Sequence, residues 1–170
     1  AAEAYYGPDS LHLIAQVQNS KAMLGRRGHA GFLTTTFTDA GTDITLINDK
    51  GYDACSYFFP DGKHLIWTSV RDKMGTSGKL EGDWSDWQHY PQGAELYISD
   101  RQGGHVKRLT NNDYYEAEVT VSPDGKWIVF ARQMNGNMDL WRIRPDGSDE
   151  QQITFTDDWE PGAPIYMPDS

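Results

Sequence analysis

The sequence predicts an all-β fold made of repeated four-stranded antiparallel units, and three features of its 170 residues support this. A Pro-Asp-Gly or Pro-Asp-Ser tripeptide recurs in similar surroundings. An almost wholly apolar segment of strand length follows it, and a polar segment closes each unit. No segment shows convincing helical periodicity, so short strands joined by tight turns account for the chain.

The recurring tripeptide begins at Pro8, Pro60, Pro123 and Pro168, at spacings of 52, 63 and 45 residues. Proline fixes φ for the first corner of a turn, aspartate accepts nearby backbone N–H groups, and glycine takes the following left-handed position. Each copy therefore predicts a hairpin turn, and Gly125 is expected to have a positive φ. The shortest spacing is close to the roughly 40 to 50 residues of a β-propeller blade. The two longer spacings predict insertions.

Four short strands are expected around each turn. The innermost strand precedes the turn, and the apolar strand after it is expected to be covered on both faces. A third strand and a polar outer strand complete the unit. The innermost strands are predicted at 52–57 and 115–120, with a looser last copy at 159–163. The third strands are predicted at 32–38, 95–99 and 139–143, and the outer strands at 44–47, 106–110 and 151–154. This constant order is typical of the four-stranded blades of a β-propeller.

One stretch of sequence carries a family resemblance. It reads Ser-Pro-Asp-Gly-Lys from Ser122, Asp-Leu-Trp-Arg-Ile at 139–143, Asp-Gly-Ser at 146–148 and Gln-Ile-Thr at 152–154. This pattern resembles the WD40-like PD40 repeat of TolB-like periplasmic propellers, whose related blades form non-catalytic domains of tricorn and prolyl-oligopeptidase-type proteases. The resemblance covers nearly the whole chain and implies a single domain over 1–170. It implies about three blades of a propeller that typically has six or seven.

Three blades are too few to close a ring, because propellers usually close with about four to eight. We therefore expect either a fragment of a longer propeller or a subunit whose open blade faces are covered by other proteins, such as those of a membrane-bound complex. The resemblance implies a non-enzymatic protein-binding or scaffolding role in the periplasm, or otherwise outside the cytoplasm. Two alternatives stay open: a substrate-gating propeller of a peptidase, and a sugar- or peptide-binding propeller.

Composition and motifs exclude several functions. With 15 Lys and Arg against 25 Asp and Glu, the net charge of −10 disfavours nucleic acid and anionic membrane surfaces. No apolar run approaches the roughly 18 residues of a membrane-spanning helix. The chain has no Gly-x-Ser-x-Gly motif, no glycine-rich phosphate loop and no histidines at metal-ligand spacing, so no catalytic, cofactor or metal site is predicted. The single cysteine, Cys55, is expected to be a buried thiol.

The long insertion at 71–93 is the first candidate for a partner-binding site. It lies on the face opposite the Pro-Asp-Gly turns and contains Trp84, Trp87, His89 and Tyr90. Aromatic anchors in polar surroundings are typical of interface hot spots, and long loops on a rigid scaffold often bind partners. The same rings could instead fold back onto their own blade.

Five charged residues complete the candidates. Arg26 and Arg27 make an earlier insertion locally basic, which suits either an acidic partner or solvated loop charges. Asp53, Glu116 and Glu160 share one repeat position at the start of the innermost strands. A ring of carboxylates at the channel mouth could bind a cation or a basic peptide. The favoured interpretation is structural, in which the carboxylates accept N–H groups of the adjacent loop.

Overall fold

A computed structural model describes residues 2–18, 32–73, 93–157 and 162–167. Within these residues the protein comprises three four-stranded antiparallel sheets and no helix. Each sheet is one blade, and its strands lie side by side in chain order, which confirms the predicted propeller architecture. The described part of the chain holds no helix that could span a membrane.

The three blades follow one another along the chain. Blade 1 contains β1 (Ala2–Tyr6), β2 (His12–Gln18), β3 (Phe32–Thr38) and β4 (Thr45–Leu46). Blade 2 contains β5 (Asp53–Phe58), β6 (His64–Ser69), β7 (Glu95–Asp100) and β8 (Lys107–Arg108). Blade 3 contains β9 (Tyr115–Val121), β10 (Ile128–Met134), β11 (Asn137–Ile143) and β12 (Gln151–Gln152).

The predicted hairpin turns join the first two strands of each blade. Gly62 and Gly125 have φ of 65° and 71°, as the Pro-Asp-Gly turn requires, and Ser10 takes the equivalent position in blade 1 with φ of 57°. Asp61 Oδ1 accepts the backbone N–H of His64 at 3.0 Å. The local chemistry of the tripeptide therefore determines these turns.

The outer strands are shorter than expected, and β1 was not identified from sequence. The strands β8 and β12 end early because the next backbone N–H of the neighbouring strand donates to a threonine hydroxyl of the outer segment and not to its backbone carbonyl. Leu96 N–H donates to Thr110 Oγ1 at 3.0 Å, and Leu140 N–H donates to Thr154 Oγ1 at 2.9 Å. The alanine and glutamate residues of β1 (Ala2–Tyr6) have weak strand propensity, so pairing with β2 forms this strand.

The hydrophobic core lies in the seams between blades. Ile66 and Leu96 of blade 2 pack with Val119 and Phe130 of blade 3 in one cluster. In the seam between blades 1 and 2, Ile14 packs with Trp67 and Tyr97, whose rings stack at 4.9 Å. Because neighbouring blades cover each other's apolar faces, the seams hold the arc together and orient the inner strands.

Candidate functional site

Seven of the nine predicted site residues lie outside the described part of the chain. They are Trp84, Trp87, His89, Tyr90, Arg26, Arg27 and the carboxylate Glu160. The other two predicted carboxylates, Asp53 and Glu116, are described, and each lies in a seam between two blades.

Asp53 begins β5 and is 4% exposed. Its Oδ2 accepts Thr34 N–H at 2.7 Å, and its Oδ1 accepts Asn48 Nδ2 at 2.6 Å. Both donors belong to blade 1, so Asp53 joins blade 2 to its predecessor. Burial raises the pKa of Asp53 to about 6, although hydrogen bonds from Ser69, Thr34 and Asn48 oppose the shift.

Glu116 does the same task at the next seam and is fully buried. The Thr110 hydroxyl donates to Oε2, while Asn112 Nδ2 and Arg132 Nε each donate to Oε1 at 2.7 Å. Thr110 occupies the repeat position of Asn48. Burial raises the pKa of Glu116, and the Arg132 guanidinium opposes the rise. This geometry supports the structural interpretation, although the bonds to Glu116 come from side chains rather than the backbone.

A third buried carboxylate, Glu95, was missed in the sequence. It begins β7, is fully buried, and its Oε1 accepts Arg108 Nη2 at 3.0 Å and Asn112 N–H at 2.7 Å. In blade 3 the equivalent Asp139 accepts Thr156 N–H at 3.0 Å. Glu95 and Asp139 each begin a predicted third strand, and this repetition of an acidic residue could have indicated the buried carboxylate from the sequence.

The inner strands carry a second repeated arrangement. Glu3, Cys55 and Glu118 each lie five residues before a turn proline and have φ of 50°, 33° and 55°. Glu3 Oε2 accepts the N–H of Cys55 at 3.0 Å. Burial and the Glu3 carboxylate raise the pKa of Glu118, and the backbone of Ala163 opposes the rise. The side chain of β1 thus binds the backbone of β5.

Two carboxylates and a thiol are groups that can bind a metal ion, and the ligand atoms of these three side chains lie within 4.8 Å of one another. Burial, with the Glu3 and Glu118 carboxylates, raises the pKa of the Cys55 thiol well above its usual range. Cys55 is 4% exposed, which confirms the expected buried thiol. The Glu3 carboxylate already binds the backbone N–H of Cys55, so it joins two inner strands.

A pocket opens at the opposite end of the inner strands, beside the hairpin turns. Its volume is about 230 Å³. Its lining comprises three turn prolines (Pro8, Pro60 and Pro123), the residues two positions before them (Tyr6, Phe58 and Val121), and Gly7, Tyr57, Phe59 and Tyr166. None of these side chains carries a charge. We call this the turn-end pocket.

Gly7 and Tyr6 set the shape of the turn-end pocket. A Cβ on Gly7 would lie 3.2 Å from the Phe58 ring, so glycine lets this ring approach the wall. The side chain of Tyr6 is 59% exposed at the rim of the pocket. Tyr166 is partly buried, and this burial raises the pKa of its phenol. The partner-binding site predicted from the sequence was expected on the opposite face. The repeated residue two positions before the turn proline could have indicated this pocket.

The comparisons with known proteins agree with this architecture. No family model matches the chain. An uncharacterized protein of Agrobacterium fabrum is 29% identical over 180 residues, which cover 92% of this chain and 59% of that protein. The solved structure of a TolB described as putative, from Agrobacterium tumefaciens, matches 96% of this chain and 49% of its own, with TM-score 0.70 and 22% identity. This chain has a TolB-like propeller fold.

Two further solved structures place this fold in context. TolB from Acinetobacter baumannii matches with TM-score 0.61 and 20% identity over 89% of this chain and 31% of its own. A puromycin hydrolase matches with TM-score 0.58 and 15% identity over 91% of this chain and 23% of its own. The chain spans 59% of the length of the Agrobacterium fabrum protein and 49% of the Agrobacterium tumefaciens structure, about half of each. Without a matching family model, the PD40 assignment stays a prediction.

Proposed function

We propose that this chain is a protein-binding unit of a TolB-like propeller and has no catalytic role of its own. The turn-end pocket carries the proposal. Its uncharged wall of tyrosine, phenylalanine and proline resembles the apolar centre of protein interfaces, where aromatic side chains are enriched and charged ones depleted. Rings and prolines also lose little conformational entropy on binding.

The size of the turn-end pocket favours an inserted side chain over a cofactor. Its volume of about 230 Å³ is below the roughly 300–1,000 Å³ of small-molecule sites. The exposed ring of Tyr6 can extend the contact across the rim, and the phenol of Tyr166 can exchange hydrogen bonds with a peptide backbone. A partner would therefore place one or two apolar side chains in the pocket and pack its surroundings on the turns.

The fold supports an extracytoplasmic setting for this function. The resemblance to TolB-like propellers implies a location in the periplasm and a partner in a larger complex, such as a membrane-bound one. Trp84, Trp87, His89 and Tyr90 stay candidates for a second contact on the opposite face. The net charge of −10 suits a protein partner better than nucleic acid.

The first test places a photo-crosslinking residue at Tyr6 of the native protein, with a matched position at Ile44. Both side chains are exposed, by 59% and 71%, but only Tyr6 lines the pocket. We expect a discrete crosslinked protein from position 6 alone. Its retention on the native protein should fall at least tenfold in Tyr6→Ala and stay unchanged in Ile44→Ala. Identical crosslinks from both positions would contradict the proposal.

A peptidase-gating role is the second candidate, because a puromycin hydrolase contains the same fold. In that case the native protein would react with a fluorophosphonate serine-hydrolase probe and cleave a chromogenic aminoacyl substrate. Labelling and turnover would favour gating. Their absence, together with the Tyr6-dependent crosslink, would favour the binding module.

A further inference from the structure

We infer that Arg101 is the positioning residue of the turn-end pocket. Its guanidinium links the hairpin turn of blade 1 to that of blade 2 and contacts the ring of Phe58, so it acts through residues that line the pocket. The consequence for partner binding rests on the proposed function, whereas the positioning role can be measured without a partner.

The outer turn of blade 2 carries Arg101 on a fixed backbone. Asp100 Oδ1 accepts the N–H of Gln102 at 2.9 Å and the N–H of Gly104 at 2.7 Å, which stabilises this turn. The N–H of Arg101 donates to Lys63 O, beside the hairpin turn of the same blade, at 3.1 Å. The guanidinium therefore starts from a defined place at the turn end.

From this turn the side chain of Arg101 reaches blade 1. Its Nη1 donates to Asp9 Oδ2 at 3.3 Å and to Gly62 O at 3.2 Å. Asp9 belongs to the hairpin turn of blade 1 and Gly62 to that of blade 2, so one guanidinium joins both turns. The backbone N–H groups of His12 and Leu11 lower the pKa of Asp9, which therefore stays ionised at neutral pH and attracts the guanidinium.

The same guanidinium supports an aromatic wall of the pocket. Its central carbon lies 5.6 Å from the centre of the Phe58 ring, a distance at which a cation is attracted to an aromatic ring. Phe58 is 3% exposed, and a Cβ on Gly7 would lie 3.2 Å from this ring. Arg101 therefore helps to hold the Phe58 ring against Gly7, the adjoining wall from blade 1.

Blade 2 alone has an arginine at this position of the three described blades. In register, Arg101 corresponds to Asp39 in blade 1 and to Pro145 in blade 3. Asp61 is the counterpart of Asp9 in the next turn. Because proline has no side-chain donor, position 145 cannot bind Asp61 as Arg101 binds Asp9.

The distances between neighbouring turns follow this difference. In the seam that Arg101 spans, a Cβ on Gly62 would lie 3.4 Å from Pro8 Cγ. In the next seam, a Cβ on Gly125 would lie 3.8 Å from its nearest neighbour, Pro60 Cδ. Pro8 and Pro60 both line the pocket, so the turns that Arg101 joins form the tighter side of it.

The exposure of the ion pair separates positioning from stabilisation. The side chains of Arg101 and Asp9 are 25% and 33% exposed, and such a pair contributes little to the free energy of unfolding. Its planar guanidinium nevertheless contacts a carboxylate, a backbone carbonyl and a ring, which fixes its orientation. Loss of Arg101 should therefore change the pocket more than it changes stability. A loosened pocket binds more weakly, because the partner must then order its walls.

The first measurement needs no partner. In the native protein with labelled proline and glycine, the nuclear Overhauser effect between the protons of Pro8 and Gly62 reports the distance between the two turns. We expect it to weaken at least twofold in Arg101→Gln and in Asp9→Asn. Asp9→Asn keeps the oxygen that accepts the turn N–H groups and loses the carboxylate that Arg101 binds.

Two control variants match these changes. Asp61→Asn removes the equivalent carboxylate, whose Oδ2 lies 2.6 Å from His64 Nδ1, as Asp9 Oδ2 lies 2.8 Å from His12 Nδ1. Both asparagine variants thus lose a histidine contact, but only Asp9→Asn loses the arginine. Arg144→Gln removes a guanidinium from the outer turn of blade 3. Both controls should keep the native Pro8–Gly62 signal. A native signal in Arg101→Gln, or equal weakening in all four variants, would overturn the inference.

The second measurement uses the protein that crosslinks to position 6. Its retention should fall at least tenfold in Arg101→Gln and in Asp9→Asn, and no further in the double variant, because both residues act through one bond. The urea midpoint of Arg101→Gln should stay close to that of the native protein. Native retention, an additive loss in the double variant, or a lowered midpoint with a native Pro8–Gly62 signal would overturn the inference. If no protein crosslinks to position 6, the proposed function fails, and the Pro8–Gly62 signal still decides the role of Arg101.

Discussion

The two ends of the inner strands use carboxylates in opposite ways. At the end away from the hairpin turns, which we call the insertion end, Asp53 and Glu116 are buried in the seams. Burial raises the pKa of both carboxyl groups. At the turn end, Asp124 is exposed, and bonds from the Ser122 hydroxyl and the Lys126 N–H lower its pKa to about 2. The same functional group therefore joins blades at one end and shapes a hairpin at the other.

This contrast has a simple physical origin. A buried carboxylate loses its hydration, so only several nearby donors or a paired cation make it tolerable. An exposed carboxylate in a turn keeps its hydration and gains backbone N–H bonds at little cost. Substitutions at the buried carboxylates of the insertion end should therefore lower the free energy of unfolding strongly. At the turn end, the effect of a substitution should depend mainly on the backbone conformation.

The largest expected effect is at the Glu116 seam. Arg132→Met leaves Glu116 buried without its cation and should lower the free energy of unfolding by about 3–5 kcal/mol. Urea denaturation at neutral pH measures the loss. Arg132→Met combined with Glu116→Leu should recover much of it, since no unpaired charge remains. A loss under about 1 kcal/mol in the single variant would show that Glu116 does not depend on Arg132.

At the turn end the backbone conformation should matter most. Gly125→Val should cost on the order of 1–3 kcal/mol, because valine must adopt the positive φ of 71°. Space is not the limit, since a Cβ here would lie 3.8 Å from its nearest neighbour, Pro60 Cδ. Gly125→Asn is the control, as asparagine tolerates this conformation. Equal urea midpoints for both variants would contradict the strain argument.

The same contrast explains what could be predicted from sequence. The turns at Gly62 and Gly125 follow from three adjacent residues, so their geometry was predictable and is confirmed. Glu95 and the turn-end pocket depend on residues brought together from different blades, which local pattern does not reveal. β1 was missed because its pairing with β2, rather than its composition, makes it a strand.

The pH dependence of stability should have opposite signs at the two ends. The pKa of Asp53 is about 6 in the folded protein, above its ordinary value near 3.8, so the folded state binds the extra proton. Stability from this group should grow as pH falls through 6 toward 4 and be lost as pH rises. The folded pKa of Asp124, about 2, lies below its ordinary value. Its stabilisation should be present above pH 4 and disappear as pH falls toward 2.

Asp53→Asn and Asp124→Asn separate these two contributions. Urea midpoints at pH 7.5, 5 and 3.5 should show the advantage of the native protein over Asp53→Asn increasing toward low pH. The advantage over Asp124→Asn should decrease over the same range. If both differences changed in the same direction with pH, the contrast between the two ends would be wrong.

The smallest effect is expected from the exposed ion pair at the turn end. Lys126 Nζ lies 3.0 Å from Asp124 Oδ2, and both side chains are exposed. Lys126→Gln should leave the urea midpoint unchanged, because solvent screens such a pair. The turn keeps its shape, since the backbone N–H of residue 126 still donates to Asp124 Oδ1 at 3.0 Å. A loss comparable to that of Arg132→Met would mean that the pair itself, rather than the backbone, holds the hairpin.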